Sequence, residues 1–201
     1  MSEFVNTTDV LGDDAVCDGL ITKTLAEYAD NRVTSIGNYA FYNCAALISV
    51  NVPAATTIGI YSFYNCDILA SVNMPAARSL ANYAFYNCYE LSTVYVPAVE
   101  TIAKSAFRYC SSLVTIDLPV VTSISTYAFY SCAALTAVII RSDTLCTLDD
   151  IDAFVGTPIA DGTGYIYVPS ALVDEYTNGT NWSEYSSQIR AIEDYPDITG
   201  G

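Results

Sequence analysis

One 22-residue unit, repeated five times in register, constrains this chain more than any other feature. Each copy has a Phe three residues before a Cys, then a Leu and a short run rich in β-branched residues. The Phe positions are Phe41, Phe63, Phe85, Phe107 and Phe129, and the Cys positions are Cys44, Cys66, Cys88, Cys110 and Cys132. A period this regular predicts a solenoid, in which each unit buries its apolar side against its neighbours.

The side-chain pattern within one unit predicts its local structure. Alternation places Val50 and Val52 on the inner side of a short strand, and Pro53 ends that strand because it has no amide hydrogen. A Phe, a Cys and a Leu then recur every three residues, which indicates a short helical turn with these side chains inward. We therefore expect a parallel sheet on one side of the stack and helical turns on the other.

The pattern L-x-x-[VI]-x-[VLIM]-P followed by I-x-x-x-[AS]-F-x-x-C resembles the BspA-like class of bacterial leucine-rich repeats, also seen in a treponemal repeat protein. It covers about residues 33–141. A degenerate sixth unit follows, in which Ala153-Phe154 answers Ala128-Phe129 and the Cys position is lost around Thr157-Pro158. The resemblance implies a right-handed superhelix and a non-catalytic module for protein binding or cell adhesion, not an enzyme.

The pattern divides the chain into three segments. These are an N-terminal helical cap over 1–32, a leucine-rich repeat solenoid over 33–169, and a C-terminal cap and tail over 170–201. Stacks of this kind require caps, because a terminal repeat would otherwise expose its apolar face.

Each cap has its own sequence signals. Asp13 to Ala29 predicts an amphipathic helix, and Ala171 to Tyr176 predicts a second short helix. Trp182 and Ile189 are expected to cover the last rung, with looser packing around Phe154 than around the central Phe residues. From Ile192 to Gly201 the sequence predicts a loose tail.

Net charge lies entirely at the two ends. Residues 1–32 carry 7 acidic and 2 basic side chains, residues 33–141 carry 4 of each, and residues 142–201 carry 11 acidic and 1 basic. Repulsion between such ends opposes pairing of open sheet edges, which otherwise allow self-association. Acidic ends that bind a cation or a basic partner are the alternative. Nucleic acid is not an expected partner, because the 7 Lys and Arg residues are scattered.

The seven cysteines do not predict a disulfide framework. Five of them stack one strand spacing apart and cannot all pair, so we expect buried free thiols that act as small apolar groups. Zinc is disfavoured because the chain has no His. Asp149, Asp150 and Asp152 lack the Gly and distal Glu of a calcium loop, which favours a solvated loop. No metal, cofactor or catalytic site is predicted.

The first 25 residues have no basic start followed by an apolar run, and no stretch approaches the roughly 18 apolar residues of a membrane span. Neither self-export nor membrane insertion is therefore expected, and the sequence does not determine where the protein is located. An adhesion module would act outside the cell. A structural or host-attachment component of a phage or prophage particle is the alternative, since particles leave by lysis. The acidic start, the six-rung size and the Gly164 to Pro169 ending are similar to proteins of gut Firmicutes and their prophages.

One candidate partner site is a variable column on the open face of the sheet. It runs through Asn51, Asn73, Tyr95, Asp117 and Ile139 and changes in every rung after the second. Positions whose residue type differs between rungs are not needed for stacking and are free to contact a protein or surface-glycan ligand. The alternative interpretation is neutral sequence variation on a solvent-exposed face. Tyr95 and Asp117 lead this set, with Asn73 and Ile139, and are expected one strand spacing apart on a rigid sheet.

The second candidate is a double tyrosine ladder on the other side of the stack. Two complete rungs adjoin at Tyr61, Tyr64, Tyr83 and Tyr86. Ring packing along the stack explains these residues, and a binding surface is the alternative because Tyr is favoured at interfaces. Ser105 and Arg108 interrupt the ladder and are expected to leave a notch.

Overall fold

The structure is a computed structural model that describes residues 10–11 and 25–199. The strands of this part, in chain order, are β1 (Val10–Leu11), β2 (Glu27–Ala29), β3 (Ser35–Ile36), β4 (Ser49–Asn51), β5 (Thr57–Ile58), β6 (Ser71–Asn73), β7 (Ser79–Leu80), β8 (Thr93–Tyr95), β9 (Thr101–Ile102), β10 (Thr115–Leu118), β11 (Ser123–Ile124), β12 (Ala137–Ile140), β13 (Thr147–Leu148), β14 (Tyr165–Val168) and β15 (Ile189–Ala191). The helices are α1 (Val173–Asn178) and short 3-10 helices at Ile151–Phe154, Ser170–Leu172, Trp182–Gln188, Ile192–Asp194 and Pro196–Thr199.

These strands form two parallel sheets on different sides of the stack. A narrow sheet runs unbroken in the order β1-β3-β5-β7-β9-β11-β13. The main sheet comes in two parts, β2-β4-β6-β8 and β10-β12-β14-β15. We call the outer surface of the main sheet the open face. This arrangement confirms the predicted repeat solenoid, with Val50 and Val52 inward and buried.

The remaining side of each regular rung is a run of tight turns where the sequence predicted a helical turn. In the first rung Ala40 N donates to Gly37 O at 3.4 Å and Cys44 N to Phe41 O at 3.2 Å, each closing a turn. The third residue of each turn has a left-handed φ of 57°, at Tyr39 and Asn43. The three-residue spacing fits both structures. Among the described rungs, only the sixth unit has a helix at this place, at Ile151–Phe154.

Main-chain hydrogen bonds join the turns of one rung to those of the next. Tyr39 N donates to Ile60 O at 2.9 Å, Phe41 N to Ser62 O at 2.7 Å, and Asn43 N to Tyr64 O at 2.8 Å. The six rung phenylalanines consequently stack in a buried column with ring centroids 4.9 to 5.5 Å apart and interplanar angles of 1 to 12°.

The cysteines form a second buried column, as predicted. The five cysteines in register, and Cys146, are buried and form no disulfide in the described part of the chain, whereas Cys17 lies outside the described residues. Each thiol from the second rung to the fifth donates to the carbonyl oxygen of the Phe in the preceding rung at 3.0 to 3.2 Å. Burial raises the pKa of Cys66, Cys88, Cys110 and Cys132, and it raises the pKa of Cys146 to about 12.

The N-terminal segment contributes strands to both sheets. β1 pairs with β3, and β2 pairs with β4, so Glu27 lies opposite Ser49. The predicted helix over Asp13 to Ala29 is therefore wrong at its end, where Glu27–Ala29 is a strand, and its residues 13–24 lie outside the described part. The Tyr28 ring packs edge-on against Phe41 at 5.1 Å, which covers the first ring of the column.

The C-terminal cap closes the other end more tightly than expected. α1 confirms the predicted helix, and Ile189 lies in β15, which pairs with β14. Phe154 is fully buried and stacks on Phe129, with the rings of Trp182 and Tyr185 at 6.2 and 5.3 Å. The expectation of loose packing there is wrong, because these rings replace a following rung.

The predicted loose tail is also wrong for residues 192–198. Ile192 is buried with Ala137, Ile139 and Tyr167, and Ile198 packs against the same group. The Tyr195 ring meets Tyr167 edge-on at 5.2 Å. The segment therefore folds back over the open face at β12 and β14.

The buried thiols make the stability of the protein sensitive to alkali. A buried thiol whose pKa in the folded protein lies above the usual value of about 8.5 makes its full contribution to stability at neutral pH. This contribution is lost as the pH rises, because only the unfolded chain releases the proton. Raising the pH from 7 to 9.5 should lower the free energy of unfolding by roughly 1 kcal/mol for each buried thiol with a raised pKa. Urea unfolding under reducing conditions measures this. Cys88→Ala should show a decrease roughly 1 kcal/mol smaller than the unmodified protein, and an equal decrease in both proteins contradicts the explanation.

Phe85 and Phe154 should be equally important to stability. Each has a stacked or packed ring on both sides, so truncation leaves a cavity that neighbours cannot fill. We expect Phe85→Ala and Phe154→Ala each to lower the free energy of unfolding by about 3 to 5 kcal/mol, measured by urea unfolding. A loss at Phe154 less than half of that at Phe85 would show that the cap rearranges to fill the space.

Candidate partner-binding surfaces

The open face presents three of the predicted candidates at its surface. Tyr95 is 55% exposed, the most exposed large apolar side chain in the described part of the chain. Asn73 donates to the side-chain oxygen of Asn51 at 2.8 Å, which continues the column by a side-chain hydrogen bond. Asp117 accepts two parallel hydrogen bonds from the Arg141 guanidinium at 2.9 and 3.0 Å. This pair fixes the carboxylate and neutralises its charge.

Tyr95 and Asp117 do not lie on one continuous sheet. β8 and β10 belong to the two separate parts of the main sheet, and no ladder joins them. The expectation that the two side chains are one strand spacing apart is therefore wrong. The sequence gives no signal for this break, because β8 and β10 follow the same apolar alternation as the paired strands.

Ile139 is the candidate that the structure removes from the exposed surface. Its side chain is only 2% exposed, because Ile192 and Ile198 of the C-terminal segment cover it together with Tyr167. Ser170 N donates to the Glu193 carboxylate at 2.9 Å and helps to hold this segment in place. The change to an apolar residue at position 139 thus serves the chain's own tail.

The tyrosine ladder is present, and its rings cover one another. Tyr61 and Tyr83 are stacked at 4.8 Å, and Tyr64 and Tyr86 at 4.9 Å. Burial, with the nearby phenols, raises the pKa of Tyr61 and Tyr64. Because the ring faces contact each other, only ring edges and hydroxyl groups of the ladder are available to a partner. We therefore rank the ladder below the open face as a binding surface.

Arg108 occupies the place where the sequence predicted a notch. Its guanidinium carbon lies 4.5 to 5.8 Å from the ring centroids of four tyrosines, and one nitrogen bonds the Tyr109 hydroxyl at 3.1 Å. The four rings belong to Tyr86, Tyr109, Tyr127 and Tyr130. Ser105 is buried. The interruption is therefore filled by a cation whose charge the ring faces stabilise.

Beside the tyrosines lies an amide ladder that was not predicted from the sequence. Asn65 donates to Asn43 at 3.0 Å, and Asn87 donates to Asn65 at 2.9 Å. All three have left-handed φ angles near 60°, a conformation that Asn adopts more easily than most residues. The recurrence of Asn one position before Cys was the available signal. The role of this ladder is to fix the turns rather than to face a ligand.

The acidic loop has a local structural role. Asp150 caps the helix at Ile151–Phe154 by accepting from Asp152 N at 3.0 Å, and Asp149 accepts from the Ser125 hydroxyl. In the described ranges, no group of three or more His, Cys, Asp or Glu side chains is arranged to hold a metal ion. No helix among the described residues is long and apolar enough to cross a bilayer.

Residues 31–155 match the BspA-type leucine-rich repeat region, in 6 copies. The match spans more than half of the chain and ends inside the degenerate sixth unit, just after Phe154. The chain therefore belongs to the BspA-type leucine-rich repeat family. Proteins built from such repeats are in general protein-binding modules that use an extended solenoid surface.

Solved bacterial structures share the fold. A leucine-rich repeat protein of T. pallidum superposes with a TM-score of 0.55 at 28% identity, covering 58% of this chain and 59% of that one. A leucine-rich repeat protein of Bacteroides ovatus gives a TM-score of 0.64 at 24% identity, covering 83% of this chain and 42% of that one. The chain thus spans about half the length of these relatives. A comparison with curated proteins finds no match.

Removing the Arg108 side chain should cost stability. Arg108→Ala deletes a cation that contacts four rings, and we expect the free energy of unfolding to fall by about 1 to 2 kcal/mol. Lys104→Ala is the matched control, since it removes an exposed cation from the same rung and should change stability by less than about 0.5 kcal/mol. Urea unfolding measures both. Equal effects of the two changes would mean that the tyrosines gain nothing from the guanidinium.

Proposed function

We propose that this chain is a non-catalytic protein-binding module whose partner contacts the open face between β4 and β10. The observation that carries the proposal is that the open face already holds a polypeptide. Residues 192–198 pack Ile192 and Ile198 onto it and set Tyr195 against Tyr167. The same face is uncovered over the earlier rungs, where Tyr95 stands 55% exposed.

The chemistry of the uncovered part suits a protein surface. Tyr95 offers a large, stiff side chain with a hydroxyl group, a combination favoured at the centre of interfaces. The Asp117–Arg141 pair and the Asn51–Asn73 amides are held in place by their own hydrogen bonds, so little side-chain entropy is lost on binding. Asn73, Tyr95 and Asp117 are the proposed contact residues, and the tyrosine ladder is a secondary candidate.

The settings proposed for this activity are cell adhesion and a structural or host-attachment role in a phage or prophage particle. Both require recognition of a protein by a rigid surface, which this fold supplies. Neighbouring genes separate them, because tail or capsid genes accompany a particle component and sortase or adhesin genes accompany a surface protein.

Paired variants test the binding face once a partner has been isolated with the immobilised protein and purified. Tyr95→Ala with Asp117→Asn should weaken the affinity of the purified partner about tenfold or more, measured by calorimetry. Tyr64→Ser with Tyr86→Ser is the control on the opposite side and should leave affinity unchanged. The reverse result, in variants with unchanged circular dichroism, would move the binding site to the tyrosine ladder.

A further inference from the structure

The main sheet is open at one place in its interior, between β8 and β10. Most Cα–Cα separations between the two strands exceed 8 Å, whereas paired strands lie about 4.8 Å apart. The rungs that contain β8 and β10 stay hydrogen-bonded to each other on their other sides. Phe85 N donates to Ala106 O at 2.7 Å on the turn side, and β9 pairs with β11 in the narrow sheet. The gap is therefore confined to the open face.

Main-chain groups on both sides of the gap lack the partners that their equivalents have. At the preceding junction, Ala70 O accepts from Ser92 N and Thr93 N at 3.1 Å. Within the described residues, the equivalent Ser92 O accepts neither from Val114 N nor from Thr115 N.

The same difference appears at the other end of the strand. Val52 N donates to Asn73 O at 3.0 Å and Met74 N to Tyr95 O at 2.9 Å. The equivalent Val96 N makes no such bond to Asp117 O in the part of the chain that the structure describes. Each side of the gap is thus a strand edge whose main-chain groups have no protein partner among the described residues.

Apolar side chains surround these edges. Val94 is half-buried, whereas the inward residues Val50, Val72, Ile116, Val138 and Ile166 of the other inner strands are buried. Val114 is 50% exposed at the start of β10 and Tyr95 lies at the end of β8. The half-buried Val94 therefore adds apolar surface to the main-chain hydrogen-bonding groups at the gap, whereas the exposure of Val114 resembles that of the equivalent Ile48, 45% exposed, at a closed junction.

We infer that the gap between β8 and β10 is a strand-insertion site, where an extended segment of a partner protein pairs with the free strand edges. This inference rests on the proposed function and names the form in which the partner binds. Inserting one strand requires β8 and β10 to stand about 9.6 Å apart, which is two strand spacings. Unpaired N–H and C=O groups on an accessible edge are the groups that such added strands use.

The surroundings define the chemistry of the inserted segment. Its residues must alternate, with apolar side chains toward Val94 and polar ones toward Tyr95, as Ser71–Asn73 does beside β8 on the paired side. The charges on either side are paired, Asp117 with Arg141 and Glu100 with Arg78, both at 2.9 Å. The repeats around the gap carry no net charge, so any preference for a neutral or basic segment over an acidic one comes from the acidic ends, which give the chain its net charge of −15.

Hydrogen exchange tests whether the gap exists in solution. Val52, Met74 and Val96 each precede a proline and occupy the same place in their rungs, so they are matched reporters. We expect the Val96 amide to exchange about 100-fold faster than the other two, measured by NMR on the free protein. Protection of Val96 equal to that of Met74 would overturn the inference, because the sheet would be closed.

A peptide probe tests insertion itself. The probe has the sequence of residues 69–75, which includes the strand that β8 already pairs with, followed by added lysines. Saturating peptide should slow exchange of the Val96, Val114 and Thr115 amides about tenfold or more. The same peptide methylated on alternate amide nitrogens should have no effect, because it cannot complete the ladder. Equal effects of both peptides would show apolar contact without strand pairing and overturn the inference.

The outcomes separate this inference from the proposed function. If no amide at the gap gains protection while the Tyr95 and Asp117 variant weakens binding of the purified partner, strand insertion is overturned and the open-face function stands. If the peptide protects the gap while that variant leaves partner affinity unchanged, the insertion site stands and the side-chain contacts proposed for the open face do not.

Discussion

Main-chain hydrogen bonds between equivalent residues of successive rungs determine the rest of this structure. They hold the rungs about 5 Å apart on the turn side and on the sheet sides, except between β8 and β10 of the main sheet. At that spacing, any residue type repeated every 22 positions meets its own copy. Phe rings then stack, Asn amides bond to one another, and Cys thiols bond the carbonyl of the rung before. The side-chain columns are consequences of the backbone register.

The register also explains an unfavourable local conformation. Tyr39, Tyr61, Tyr83 and Tyr127 have φ angles of 55 to 60°, which costs a non-glycine residue on the order of 1 to 3 kcal/mol. The tight turns require these angles. The turns also orient Tyr39 N and its equivalents so that they donate hydrogen bonds to the next rung. Hydrogen bonding and ring stacking along the column offset the strain.

The sequence predicts the parts of this fold that depend on periodicity. The inward Phe, Cys, Leu and Val columns follow directly from the 22-residue spacing, and so does the exposed position of Tyr95. Features that depend on three-dimensional context do not follow. A three-residue spacing fits a helical turn and a pair of tight turns equally well, and the break between β8 and β10 leaves no trace in their apolar pattern. Ile139 looked like a surface residue because the covering contacts come from Ile192 and Ile198, more than 50 residues later.

The unequal continuity of the two sheets has a mechanical consequence. The narrow sheet runs through all seven of its strands, while the main sheet is divided between β8 and β10. A force that bends the stack meets a continuous ladder on one side and no ladder at one point of the other. Bending is therefore concentrated at that point, with the narrow sheet as the pivot and the two four-stranded parts as stiff arms. The separation between Tyr95 and Asp117, which lie on opposite arms, therefore changes with the angle of this bend.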